Sequence, residues 1–86
     1  MNKVILITGA GTGIGAETAR QLAEGNTLFL HYNQSAEAVK QVAEDVEKRG
    51  GKAILLQADL TTEKACEDLV AALAEKTDHL DVLINN

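Results

Sequence analysis

Residues 4–7 read Val4-Ile5-Leu6-Ile7, and from Gly9 to Gly15 every second residue is glycine. No other stretch limits the possible folds as strongly. Aliphatic side chains in a row, without polar alternation, suit a strand covered on both faces, as in a parallel sheet. Glycines directly after such a strand tolerate left-handed backbone and let a ligand approach the main chain. Ile14, Thr18, Ala19 and Leu22 then fall at helical spacing. A helix starting at this turn aims unpaired N–H groups and the positive end of its dipole at the loop. That selects an anion, and a pyrophosphate is the natural one.

Beyond the loop, short apolar runs alternate with longer helical patterns, the mark of consecutive β-α-β units. The spacing predicts a helix over 13–24 stopped by Gly25-Asn26, then a strand over 27–30. A helix over 36–49 follows, capped by Ser35 and ended by Gly50-Gly51. Its Val39, Val42, Ala43 and Val46 make one stripe, with Glu37, Glu44, Asp45 and Glu47 toward water. A third strand is expected over 53–56. The helix over 62–77, capped by Thr61 or Thr62, would bury Cys66, Leu69, Val70, Leu73 and Ala74, and a fourth strand takes 82–84. Right-handed crossovers then give a doubly wound α/β sheet in the order 3-2-1-4. The first two helices share one face, the third takes the other, and strand four is an open apolar edge. The ligand crevice lies between strands one and four, with Gly9–Gly15 on one side and Asn85 on the other.

Composition narrows the function. The 86 residues are 45% apolar and 24% charged, which describes one small globular unit. A net charge of −5 without a basic stripe argues against nucleic-acid partners. No apolar run approaches the about 18 residues of a membrane span, and residues 1–7 lack the basic-then-apolar pattern and cleavage site of a secretory leader, so none is expected. Cys66 is the sole cysteine, so no internal disulfide is possible, and its expected role is packing. The cytoplasm is the compartment these features lead one to expect. A doubly wound domain does not normally stop at the carboxyl end of an inner strand. Residues 1–86 are therefore expected to be the N-terminal part of a single dinucleotide-binding domain in a longer polypeptide.

The glycines admit several registers. A P-loop needs Lys after its last glycine, but Ile14 follows Gly13 and Ala16 follows Gly15. The dinucleotide fingerprint can be laid on Gly11, Gly13 and Ala16, which leaves Thr8 to Ala10 unused. A third register, Thr8-Gly9-x-x-x-Gly13-x-Gly15, starts directly after the strand, and it resembles the cofactor loop of the short-chain dehydrogenase/reductase family, with Ile14 in its apolar slot. Asp59 after strand three resembles that family's acidic adenine contact, and Asn85-Asn86 resembles the opening of its Asn-Asn-Ala-Gly motif. The resemblance covers the whole chain and implies a Rossmann-type fold and hydride transfer between a nicotinamide and a small carbonyl or alcohol substrate. It assigns Gly9, Thr12, Gly13, Ile14, Gly15, Tyr32, Asn33, Asp59, Leu60 and Asn85 to cofactor binding, and implies a homo-oligomer for the full-length protein. The family's catalytic Ser, Tyr and Lys have no counterpart here. Tyr32 sits at the adenosine end and position 36 is Ala, so no catalytic residue is assigned, and no metal ligand.

The end of strand two bears on the cofactor. An NAD site places an acid there for the ribose 2′-hydroxyl, whereas this chain has His31-Tyr32-Asn33-Gln34-Ser35 and no carboxylate before Glu37. The segment is similar to the loop of NADP-dependent 3-oxoacyl carrier-protein reductases, which favours NADP over NAD. Against this, the loop holds no Arg or Lys, and Thr12 stands where many NADP enzymes carry a basic residue. Two other readings compete. The glycine turn also resembles motif I of S-adenosylmethionine-dependent methyltransferases, although Ile7 stands where those carry an acid. A non-catalytic nucleotide-binding module is the third. His31 either touches the adenosine side or merely ends its strand, and His79 is read as a solvated loop residue.

Overall fold

The aliphatic runs form strands and the periodic segments form helices in the computed structural model, which describes residues 2–86. The elements are β1 (Val4–Ile7), α1 (Gly13–Gln21), β2 (Thr27–Tyr32), α2 (Ala36–Lys48), β3 (Lys52–Gln57), α3 (Glu63–Lys76) and β4 (Val82–Ile84). Every strand pair is parallel and the sheet order is β3-β2-β1-β4, as right-handed crossovers require.

Alternation along the strands splits the core in two. Ile5, Ile7, Leu28 and Leu30 point to the face covered by α1 and α2, where they meet Ala19, Val39, Val42 and Val46. Val4, Leu6, Phe29 and Leu56 point to the other face, covered by Leu69 and Leu73 of α3. β1 is buried along its whole length, which explains its unbroken aliphatic run. β4 is an edge strand whose Leu83 is 59% exposed.

Several local expectations change. α1 ends at Gln21 rather than Glu24, because the Asn26 side chain donates to the Leu22 carbonyl (2.8 Å) and Gly25 turns the chain at φ 75°. β2 runs on to Tyr32 rather than stopping at Leu30, since its pairing with β3 continues through His31 and Tyr32. Ser35 makes no side-chain cap. Thr62 does cap α3, accepting from the Ala65 N–H at 3.1 Å. Asp45 does not simply face water: it accepts from the Arg20 guanidinium at 2.9 Å and ties α2 to α1. That bond, with a second from Gln41, holds its carboxyl below the usual carboxylate value. On α3 only Leu69 and Leu73 of the expected five are buried; Cys66, Val70 and Ala74 are exposed. Their stripe lies beside Leu69 and Leu73 on the helix, so the whole expected face cannot press on one flat sheet.

Two predictions follow from this packing. A Cβ at Gly51 would collide with the Ala23 carbonyl and lie 2.9 Å from Val46 Cγ1. Gly51→Ala is therefore expected to lower stability by about 1–3 kcal/mol, read as a reduced urea midpoint; an unchanged midpoint would count against this contact. At the amino end of β4, Asp78 bonded to His79 Nδ1 (2.8 Å), with Asp81 beside Nε2, holds the imidazole above its ordinary 6.5. His79 in turn holds Asp78 below 3.8. A raised histidine stabilises below 6.5 and loses that contribution as pH rises through its folded value. A lowered carboxyl stabilises above 3.8 and loses its contribution as pH falls through its folded value. The gap in urea midpoint between wild type and His79→Asn should be widest between these limits and narrow on both sides; a gap independent of pH would contradict the pairing.

Candidate functional site

The turn after β1 is held almost atom by atom. The Thr8 N–H donates to the Ile84 carbonyl (3.0 Å), while the Thr8 hydroxyl donates to Asn85 Oδ1 (3.0 Å) and accepts from the Asn86 N–H (3.0 Å). Gly9 lies in the left-handed region at φ 61°. Its N–H donates to His31 Nδ1 (3.0 Å), and its carbonyl accepts from Asn86 Nδ2 (3.1 Å). The Ala10 N–H donates to the His31 carbonyl (2.9 Å).

The helix start is the reverse. Thr12 is extended (φ −141°, ψ 158°), its side chain makes no cap, and the first turn closes with the Ala16 N–H on the Thr12 carbonyl at 3.3 Å. Among the described residues no acceptor meets the N–H groups of Gly13, Ile14 and Gly15. Three free donors at the positive end of a helix suit an anion, and this helix start is the candidate seat for one.

The two glycines within this seat differ. Gly13 has φ 54° and nothing within 4 Å of where a Cβ would stand, so it borders open space. A Cβ on Gly15 would strike the Gly9 carbonyl and lie 2.6 Å from Asn86 Nδ2. Gly15 is thus needed by the protein's own packing, whereas Gly13 leaves room above the free amides. Ile14, between them, is 78% exposed, so the apolar slot it was assigned is not a packed one.

Gly9, Gly11, Thr12, His31, Tyr32, Asn33, Gln34 and Ser35 line a cavity of about 280 Å³ that reaches the residue before this helix start. None of the lining side chains is a carboxylate, a lysine or an arginine. Gly9, Thr12, Tyr32 and Asn33 are therefore brought together. Asp59 is not among them: it lines a depression of about 420 Å³ between β3 and α3, and its Oδ1 accepts from the Thr61 N–H at 3.1 Å. Leu60 and Asn85 line a third hollow of about 390 Å³ with Thr8 and Leu83. Sequence reasoning underrated His31, which is buried at 6% exposure and fully engaged, and it assigned no contact to Asn86. A lone imidazole at the end of an apolar strand was the available signal for His31. The described residues contain no cluster of His, Cys, Asp or Glu fit to hold a metal, and no helix long and apolar enough to cross a membrane.

Comparison with known proteins agrees with this fold. The chain is 33% identical over 87 residues to the short-chain dehydrogenase/reductase homolog YusS of Bacillus subtilis, covering 100% of this chain and 80% of that one. It is 40% identical over 85 residues to an uncharacterized oxidoreductase of Methylorubrum extorquens, covering 98% of this chain but 34% of the relative. A Burkholderia cenocepacia protein crystallised with bound NADP superposes with a TM-score of 0.90 at 34% identity, over 98% of this chain and 33% of that one. The chain thus spans about a third of the length of the latter two. The short chain dehydrogenase family model matches residues 3–86. With that match running through both core faces and the whole glycine turn, the chain belongs to the short-chain dehydrogenase family.

Proposed function

We propose that this chain forms the cofactor-binding part of an NAD(P)(H)-dependent oxidoreductase that moves a hydride between a nicotinamide and a small carbonyl or alcohol substrate. The carrying observation is the set of unpaired N–H groups of Gly13, Ile14 and Gly15, opening beside a cavity lined by Gly9, Thr12, Tyr32 and Asn33. A dinucleotide fits that arrangement. The three amides would hold its diphosphate, the open side of Gly13 would give it room, and Tyr32 and Asn33 would border the adenosine half. Ile14 offers exposed apolar surface at the helix start toward the nicotinamide half. Asp59 and Leu60 are assigned to the adenine edge and Asn85 to the floor beside β4. When bound, the cofactor supplies the hydride donor or acceptor; the residues of this chain seat and orient it, and none is assigned to the chemical step.

NADP is favoured over NAD because no carboxylate lines the cavity at the end of β2, so nothing there repels a 2′-phosphate. The NADP held by the Burkholderia neighbour supports the same preference. Residues 1–86 are read as the N-terminal part of one dinucleotide-binding domain. A cytoplasmic homo-oligomer completes the reading, supported by apolar surface at Val70 and Leu83. Family membership removes the methyltransferase alternative.

Titration with NADPH, NADH and S-adenosylmethionine, followed by thermal unfolding, tests the assignment. A ligand at about a hundred times its Kd should add roughly 2.7 kcal/mol, and NADPH should act at lower concentration than NADH. Stabilisation by S-adenosylmethionine alone would overturn it. Gly13→Val places a side chain in the space above the amides and should weaken dinucleotide binding at least tenfold, about 1.4 kcal/mol, beyond a left-handed strain of about 1–2 kcal/mol in the protein itself. Undiminished affinity in that variant would disprove the seat.

A further inference from the structure

His31 is a buried, titratable side chain to which the proposed chemistry gives no task. It lies in β2, between β1, which enters the glycine turn, and β3, which ends two residues before Asp59. Both ring nitrogens are occupied: Nδ1 faces the Gly9 N–H at 3.0 Å, and Nε2 faces the Ala58 carbonyl at 2.8 Å. A backbone N–H only donates and a carbonyl only accepts, so the ring must accept at Nδ1 and donate at Nε2, which defines the neutral Nε2–H tautomer. With both nitrogens taken, the ring has no hydrogen-bonding capacity left for an adenosine.

The same residue's carbonyl accepts from the Ala10 N–H, so two consecutive amides of the turn end on His31. Gly9 is then held on both sides of its residue, by His31 at the N–H and by Asn86 at the carbonyl. Gly9 needs that support, because its φ of 61° is one of several conformations a glycine can adopt. Were its N–H to lose the imidazole, it would be a part-buried donor without a protein partner, and the turn that aims the next amides outward would relax. The Ala58 bond carries the constraint to the residue that follows β3, next to Asp59.

From this geometry we propose that His31 is a positioning residue for the cofactor site: as a neutral imidazole it locks Gly9 so that the Gly13–Gly15 amides converge, and it ties that seat to the Asp59 end of β3. The proposal rests on the function read above and adds the group that sets the loop. Its Nδ1 and Nε2 roles can be separated, because an Asn side chain places its oxygen near Nδ1 and a Gln side chain reaches toward Nε2.

The test is the NADPH affinity of wild type, His31→Asn, His31→Gln and His31→Ala, with urea midpoints measured on each and side-chain nitrogen NMR on the wild type. His31→Asn, which keeps an acceptor for Gly9, should bind within a few fold of wild type. His31→Gln and His31→Ala, which lose it, should weaken about tenfold, the scale of one buried hydrogen bond. Affinity that tracks the urea midpoint instead of the acceptor at Gly9 would reduce His31 to a stability role and overturn the proposal. The wild-type spectrum should show Nδ1 unprotonated and Nε2 protonated at neutral pH. The opposite tautomer overturns the proposal even where a variant fails to fold. Wild type that binds neither NADPH nor NADH removes the functional reading and this proposal with it, whereas wild-type binding with equal affinities across the variants removes this proposal alone.

Discussion

The structure depends on one peptide segment, at Gly9, being held from two directions. β2 reaches it through the His31 ring, and the residues after β4 reach it through Asn86. Gly9 can therefore keep a left-handed turn directly after a fully buried strand, and the chain bends sharply enough for α1 to start over the carboxyl edge of the sheet. Gly15 must then pass close against the Gly9 carbonyl, which a side chain at that position would forbid. Once these approaches are set, the N–H groups of Gly13, Ile14 and Gly15 have no internal partner among the described residues. Polar groups consumed at the start of the turn and spared at its end are what make it a site rather than a bend.

The sheet does comparable work at larger scale. Ile5 and Ile7 commit one side of β1 to α1 and α2, while Val4 and Leu6 commit the other to α3. A central strand buried on both sides cannot slip by one residue without exchanging the two sets of side chains. The register Ile5↔Leu28 and Ile5↔Val82 therefore fixes where β1 ends relative to both neighbours. That in turn fixes the height at which Thr8 meets Ile84 and Gly9 meets His31.

Much of this was legible in the residues. Consecutive aliphatics announced β1, the Val39-Val42-Val46 stripe announced the buried side of α2, and the order of the strands needed only crossover handedness. The alternating glycines and Asn85-Asn86 marked the two segments that meet at Thr8 and Gly9. What stayed hidden lay where periodicity stops deciding. On α3, Cys66, Val70 and Ala74 repeat with the same spacing as Leu69 and Leu73, and only the packed sheet shows which row it covers. Ser35 has the chemistry of a cap, yet its backbone at φ −91°, ψ 51° does not bring the hydroxyl to the helix amides. His31 was obscured because its partners, Gly9 and Ala58, are backbone atoms 22 and 27 residues away, and backbone atoms leave no trace in a sequence.

The β1–β4 contacts have a further consequence. Thr8 to Asn85 and Val4 to Asp81 each join residues 77 apart, so this pairing closes a long loop. Loop-closure entropy makes such contacts slow to form compared with the neighbouring β1–β2 pairing. The bonds of Asn85 and Asn86 to the glycine turn therefore depend on a pairing that the local β1–β2 contacts do not supply.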